Sequence, residues 1–158
     1  RRQPARVVAS DEASGLALLR ADGLPRAQAI TAASAPKAEE ALTAISLSWS
    51  GSQPAGVFAE AIATGNGRIA APLQPGGAGA ALFDGAGALA GLVTDDPGAR
   101  RQIAGVAPAA RYRVAEADKI AAFLQQHNAS LGRGEAQAAK GGVAAARRDA
   151  VVGLICVY

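Results

Sequence analysis

Gly76-Gly77-Ala78-Gly79-Ala80-Ala81-Leu82-Phe83-Asp84-Gly85-Ala86-Gly87-Ala88-Leu89-Ala90-Gly91-Leu92-Val93-Thr94 is the stretch on which the fold of this chain turns. Leu82-Phe83 enters a strand, Asp84-Gly85-Ala86-Gly87 turns it, and residues 88–94 leave as the next strand. Gly85-Ala86-Gly87-Ala88-Leu89-Ala90 also satisfies the dinucleotide-binding pattern G-x-G-x-x-A. That chemistry needs a helix opening on the glycines, so that its N-terminus meets the pyrophosphate. Here a β-rich run follows and ends in Asp95-Asp96-Pro97-Gly98. A hairpin accounts for the glycines, and no nucleotide cofactor is expected.

Outward from this hairpin the pattern stays β. Residues 5–9 and 16–20 read as two short strands joined by Ser10-Asp11-Glu12-Ala13-Ser14. Ala21-Asp22-Gly23-Leu24-Pro25 is a turn signal, and residues 32–40 read as a loop. Residues 42–49 alternate apolar with small polar side chains, the period of a half-buried strand. Ser50 to Pro54 breaks it, residues 57–64 form the next strand, and Gly65-Asn66-Gly67 is a tight turn suited to positive φ. Arg68 begins the return, and residues 102–106 read as the last strand. Closely spaced strands with glycine turns point to a barrel or sandwich. The period then changes: Ile120, Phe123 and Leu124 recur at helical spacing over residues 115–126, with Glu116, Asp118 and Lys119 on the other side. Residues 130–142 look like a flexible connector, residues 144–149 like a short helical turn, and residues 151–158 like a strand.

Residues 76–94 resemble the nucleophile segment of trypsin-like serine proteases, a Gly-x-Ser-Gly-Gly-Pro-Leu stretch followed by a turn and a glycine-punctuated strand. Ala78 stands where the serine would be, and Ala80 and Ala81 replace the second Gly and the Pro. A second segment agrees. Residues 6–20, Arg-Val-Val-Ala-Ser-Asp-Glu-Ala-Ser-Gly-Leu-Ala-Leu-Leu-Arg, resemble the HtrA-type stretch that carries the triad aspartate just before Leu-Ala. Gly15 occupies that place, and Asp11 matches an earlier, non-catalytic aspartate. In the triad Ser attacks, His takes the proton and Asp holds the imidazole. An alanine methyl has neither lone pair nor ionisable proton. The sole histidine, His127, falls near the end of the helical pattern, where the helix's negative end suits it. The backbone of residues 76–78 is a candidate oxyanion hole, and no more than slow residual catalysis would follow from it alone.

The resemblance implies a mainly β fold: a trypsin-like antiparallel barrel, the second of the family's two, with part of the first and a closing helix. It divides the chain into a first-barrel remnant (1–26), the second barrel (27–110), a closing helix (111–129), a connector (130–149) and a terminal strand (150–158). It also implies that most of the first barrel is lacking, as in a processed product or a half domain. The absence of methionine, even at position 1, suggests an upstream segment removed.

The 158 residues suffice for one domain with a core. Half are apolar but only 4% are aromatic, so small side chains, alanine above all, must fill much of the interior. Such a core needs close backbone packing. The net charge of +3 is spread over interspersed acids and bases. Arginine doublets at 1–2, 100–101 and 147–148 read as solvated surface, and with few aromatics a nucleic-acid partner is not expected. No apolar run approaches the ~20 residues of a membrane span. The one cysteine, Cys156, is either a small buried hydrophobe or a bridge to another chain or to the missing segment. No metal-binding Cys/His spacing occurs, Asp95 and Asp96 would point to opposite faces of a strand, and Ser46, Ser48, Ser50 and Ser52 have no adjacent base.

The expected function is therefore non-catalytic: a pseudoprotease that serves as a scaffold or accessory subunit, binding another protein chain or the missing N-terminal segment. The alternatives are a peptide-binding pseudoenzyme using the old substrate cleft, or a processed piece of a hydrolase whose catalytic parts lie elsewhere. The expected binding residues are Gly76, Gly77, Ala78, Gly79 and Ala80. No cofactor is expected, and analogy with HtrA-type proteins suggests a periplasmic or otherwise exported location.

Overall fold

A computed structural model describes residues 3–23, 30–50, 53–95, 108–132 and 142–154. Eight strands dominate them. β1 (Ala5–Asp11) and β2 (Leu16–Ala21) form an antiparallel hairpin. β3 (Ala41–Ser50), β4 (Gln53–Gly65), β5 (Arg68–Ala71), β6 (Ala81–Phe83), β7 (Leu89–Val93) and β8 (Ala110–Glu116) close into a barrel in the order β3-β4-β5-β8-β7-β6. Every pairing within it is antiparallel. The mainly β fold, with a closed six-stranded barrel and a helix behind its last strand, is the one expected.

The order of strands makes one connection decisive. β5 lies between β4 and β8, whereas β6 lies between β3 and β7. The chain must therefore leave β5 and cross one end of the barrel before β6 can seal it against β3. Residues 72–80 make that crossing.

The interior is built from the small residues that the composition demands. Six of the thirteen buried residues of the barrel core are alanines, among them Ala44, Ala61, Ala63 and Ala90. Tyr112, 1% exposed, is the largest fully buried side chain. A second cluster lies outside the barrel wall, where Ile45, Phe83 and Leu89 meet Leu16 of the hairpin and Ile120 and Phe123 of a helix. That helix, α1 (Ala117–Gln126), turns Ala117, Ile120 and Phe123 inward at the spacing of one helical face.

Two details depart from the sequence reading, and a third expectation is not covered by the described residues. Residues 110–116 are a barrel strand, although they straddle the expected boundary between barrel and helix. Arg111 and Arg113 are exposed while Tyr112 and Val114 are buried. That is a two-residue period whose last members also suit the helix that follows, so the helix starts at Ala117 rather than 115. The strand expected at residues 102–106 lies outside the described residues. β4 begins at Gln53, with Pro54 near its start, where the missing N–H is tolerated.

At the C-terminal end, α2 (Val143–Arg147) and a 3-10 turn (Arg148–Ala150) form the short helical segment expected near 144–149. Val151 to Leu154, the described part of the expected terminal strand, belong to no strand. Val151 instead packs against the outer cluster, beside Val143. Cys156 and its neighbours lie outside the described residues.

Candidate functional site

The crossing loop between β5 and β6 is shaped by two successive turns. The Gly77 N–H donates to the Gln74 carbonyl (2.9 Å), and the Ala80 N–H donates to the Gly77 carbonyl (3.0 Å). The third residue of each turn is a glycine with positive φ, Gly76 at 85° and Gly79 at 80°. That is the type II pattern, with Pro75 and Ala78 in the positions before the glycines. A side chain at Gly79 would meet nothing within 4 Å, so its backbone angle, not crowding, requires glycine.

The loop is pinned to β7. The Gly79 N–H donates to the Val93 carbonyl at 2.8 Å, and the Val93 N–H donates to the Ala80 carbonyl at 2.9 Å. Ala78 therefore stands exposed beside the C-terminal end of β7. The turn between β1 and β2 reaches the same place. A Cβ built on Gly15 would lie 3.2 Å from the Cβ of Thr94, the residue after β7. The two positions that the sequence singles out, 78 residues into the chain and 15, are thus brought to one strand end. Gly15 also has φ of 69°. An aspartate there would combine a disfavoured backbone with a tight contact to Thr94.

Of the five residues expected to bind, Gly76, Ala78 and Gly79 lie on the surface. Gly77 is buried, and Ala80, 1% exposed, belongs to the barrel core. Ala80 is a packing residue, and only the other three are open to a partner. Among the described residues, the N–H groups of Gly76 and Ala78 donate to no protein acceptor.

The polar groups nearest this strand end are already engaged. The Thr94 hydroxyl reaches the Arg113 carbonyl at 3.4 Å. Asp95 accepts from the Arg113 N–H at 2.7 Å and from its Nε at 2.6 Å. The backbone bond, then the guanidinium's hydrogen bond and charge, with a further contribution from Arg68, hold the Asp95 carboxyl below the ordinary 3.8, against the opposing effect of its partial burial. A carboxylate so held is a poor general base near neutral pH. Asp96 lies outside the described residues.

Asp11 and Asp84 are structural. Asp11 accepts from the Ser14 hydroxyl (2.6 Å) and the Ala13 N–H (3.0 Å), shaping the turn that presents Gly15. Asp84 Oδ1 accepts from the Ala86 and Ala88 N–H groups, and Gly87 takes φ of 83°. This is the β6–β7 hairpin, so the G-x-G-x-x-A pattern opens no helix. His127 ends α1 and sets its ring edge-on to Phe123, with centroids 4.9 Å apart.

An open hollow of about 590 Å³ lies elsewhere, lined by Ser34, Lys37, Glu39, Glu40 and Asp84 and by none of residues 76–80. Sequence reading gave no sign of it, because residues 32–40 carry no motif. Among the described residues no cluster of three or more His, Cys, Asp or Glu side chains could hold a metal ion, and no helix is long and apolar enough to cross a membrane. Comparison with models of known families, with curated proteins and with solved structures gives no match for this chain.

Proposed function

We propose that this chain is a catalytically degenerate trypsin-like domain, a pseudoprotease, that works by binding another polypeptide as a scaffold or accessory subunit. The observation that carries the reading is that Gly15 and the Ala78 loop each reach the C-terminal end of β7, Gly15 beside Thr94 and the loop through Val93. Two segments that resemble triad-bearing stretches converge there, and the side chains at both key positions are inert. The crossing loop's place in the barrel agrees with the same reading. By analogy with HtrA-type proteins, its setting is the periplasm or another exported compartment.

Three measurements on the full chain or its variant test it. A fluorophosphonate probe is expected to label no serine, and Ala78→Ser is expected to restore no measurable peptide hydrolysis, since a nucleophile without its base gains little. Labelling of the wild-type chain would overturn the non-catalytic reading. A permanently unfolded polypeptide, such as reduced and carboxymethylated lactalbumin, is expected to bind. A chain that remains a monomer and binds no such polypeptide would overturn the binding reading.

A second reading, in which the old substrate cleft holds peptide, is favoured by one observation: Ala78 and Gly79 are exposed beside N–H donors with no protein partner. Ala78→Trp would abolish binding on that reading and leave it unchanged on the first. A bulky substitution at Ala80 is unsuitable, because it would enter the barrel core.

A further inference from the structure

Each barrel strand has a neighbour on both sides, but β1 and β2 pair only with each other among the described residues. Each therefore presents a row of backbone N–H and C=O groups on its outer side, a template for another strand. The two edges are not equivalent. β1 follows Pro4 and carries a bulge between Val7 and Ala9, both of which blunt an edge. β2 has neither feature. It runs six residues in regular register, Leu-Ala-Leu-Leu-Arg-Ala. Val151 to Leu154 pair with neither strand.

The side chains say what would fit. Leu16 and Leu18 join the apolar cluster outside the barrel. By strand alternation Arg20 continues their face, where it is exposed and directly opposite Arg6. Like charges facing one another across a ladder destabilise it. Neither arginine forms an ion pair among the described residues. Two uncompensated guanidinium groups at the end of an apolar strand face call for a carboxylate.

We propose that the edge of β2 left unpaired among the described residues accepts an extended segment of a second polypeptide chain, one that alternates apolar and acidic side chains. Its backbone would pair with residues 16–21, its apolar side chains would continue the Leu16–Leu18 face, and a carboxylate would sit at Arg6 and Arg20. This rests on the polypeptide-binding reading and names its site and the chemistry of its partner.

The test uses the full chain and fluorescent ten-residue peptides. A peptide alternating valine and glutamate is expected to bind. Its valine–lysine counterpart should bind at least tenfold more weakly. The glutamate peptide N-methylated on alternate amides, made in both registers, should lose binding in one register, because its donors then cannot reach β2. The Arg6→Glu/Arg20→Glu variant should invert the charge preference while keeping the far-UV circular dichroism and melting midpoint of the wild type, since both side chains are exposed. Equal binding of both N-methylated peptides, or an unchanged preference in the variant, overturns the edge assignment. If carboxymethylated lactalbumin still binds in that case, the polypeptide-binding reading stands without it. If neither peptides nor lactalbumin bind, both fall.

Discussion

Gly91 shows how a motif glycine can be structural rather than chemical. A Cβ there would lie 2.5 Å from Val114 Cγ1 and 2.7 Å from the Ala115 carbonyl oxygen, so β7 and β8 approach as closely as they do only because position 91 has no side chain. Gly91→Ala is expected to cost about 1–3 kcal/mol, the range for overpacking a filled site. Thermal denaturation would show this as a fall of about 2–4 °C in the midpoint per kcal/mol. Gly85→Ala, at a position with nothing within 4 Å of the added methyl, is the matched control and should leave the midpoint unchanged. Asp95 gives a residue-scale prediction in pH. Its carboxyl is held below 3.8, chiefly by the Arg113 N–H. A folded-state value below the unfolded one makes the contribution complete above the unfolded value and erodes it as pH falls through the folded one. Wild type should therefore exceed Asp95→Asn in stability by a constant amount at neutral pH, and the gap should shrink below about pH 4. Denaturant titrations at several pH values would read it, and a gap independent of pH would refute the assignment.

At the scale of elements, the C-terminal segment is held by a contact that no motif announces. Arg147 of α2 is 7% exposed, and its Nε donates to the Gly87 carbonyl at 2.8 Å. The positive φ of Gly87 opens the β6–β7 turn toward it, and a Cβ at Gly87 would lie 3.2 Å from that nitrogen. Arg147→Ala leaves the carbonyl without this donor, at a cost of about 1–3 kcal/mol. It should also free Val143 and Val151 from the outer cluster, seen as faster amide exchange over residues 142–154 with the barrel still folded. From sequence, Arg147 and Arg148 form a solvated doublet, because burial sixty residues away in the chain leaves no local trace. β8 was illegible for another reason: Arg111, Tyr112, Arg113 and Val114 alternate cleanly, but Ala115 and Glu116 serve a strand and a helix start equally well. The β4–β5 junction, by contrast, is a turn whose chemistry is local, Gly65-Asn66-Gly67, where all three residues take positive φ. That turn the sequence marks on its surface.

For the molecule as a whole, the sequence made the loop at residues 76–80 legible and left its inner and outer members undivided. Glycine spacing selects backbone conformation, whereas the burial of Ala80 depends on β6 closing the barrel against β3, a pairing almost forty residues distant. The same closure divides the fold into parts of unequal stability. A barrel strand cannot leave without breaking the ladders on both of its sides. β1 and β2 share one ladder, and their hold on the rest is Ala9, Leu16 and Leu18 in the outer cluster together with the Gly15–Thr94 contact. Val7 and Val8 are 63% and 51% exposed and add little burial. Local opening of the hairpin should thus precede global unfolding. Amide exchange of β1 and β2 is expected to run at least tenfold faster than that of β3 and β4 at neutral pH, a difference of about 1.4 kcal/mol or more in opening free energy. Low denaturant should bring the barrel amides together in one cooperative unit while the hairpin amides stay outside it. Addition of the valine–glutamate peptide should then slow exchange over residues 16–21 first, because a new ladder on β2 supplies the second neighbour that every barrel strand already has. Hairpin amides as slow as those of the barrel in the isolated chain would mean that the edge of β2 is already covered, and that the partner must be sought at the Ala78 loop instead.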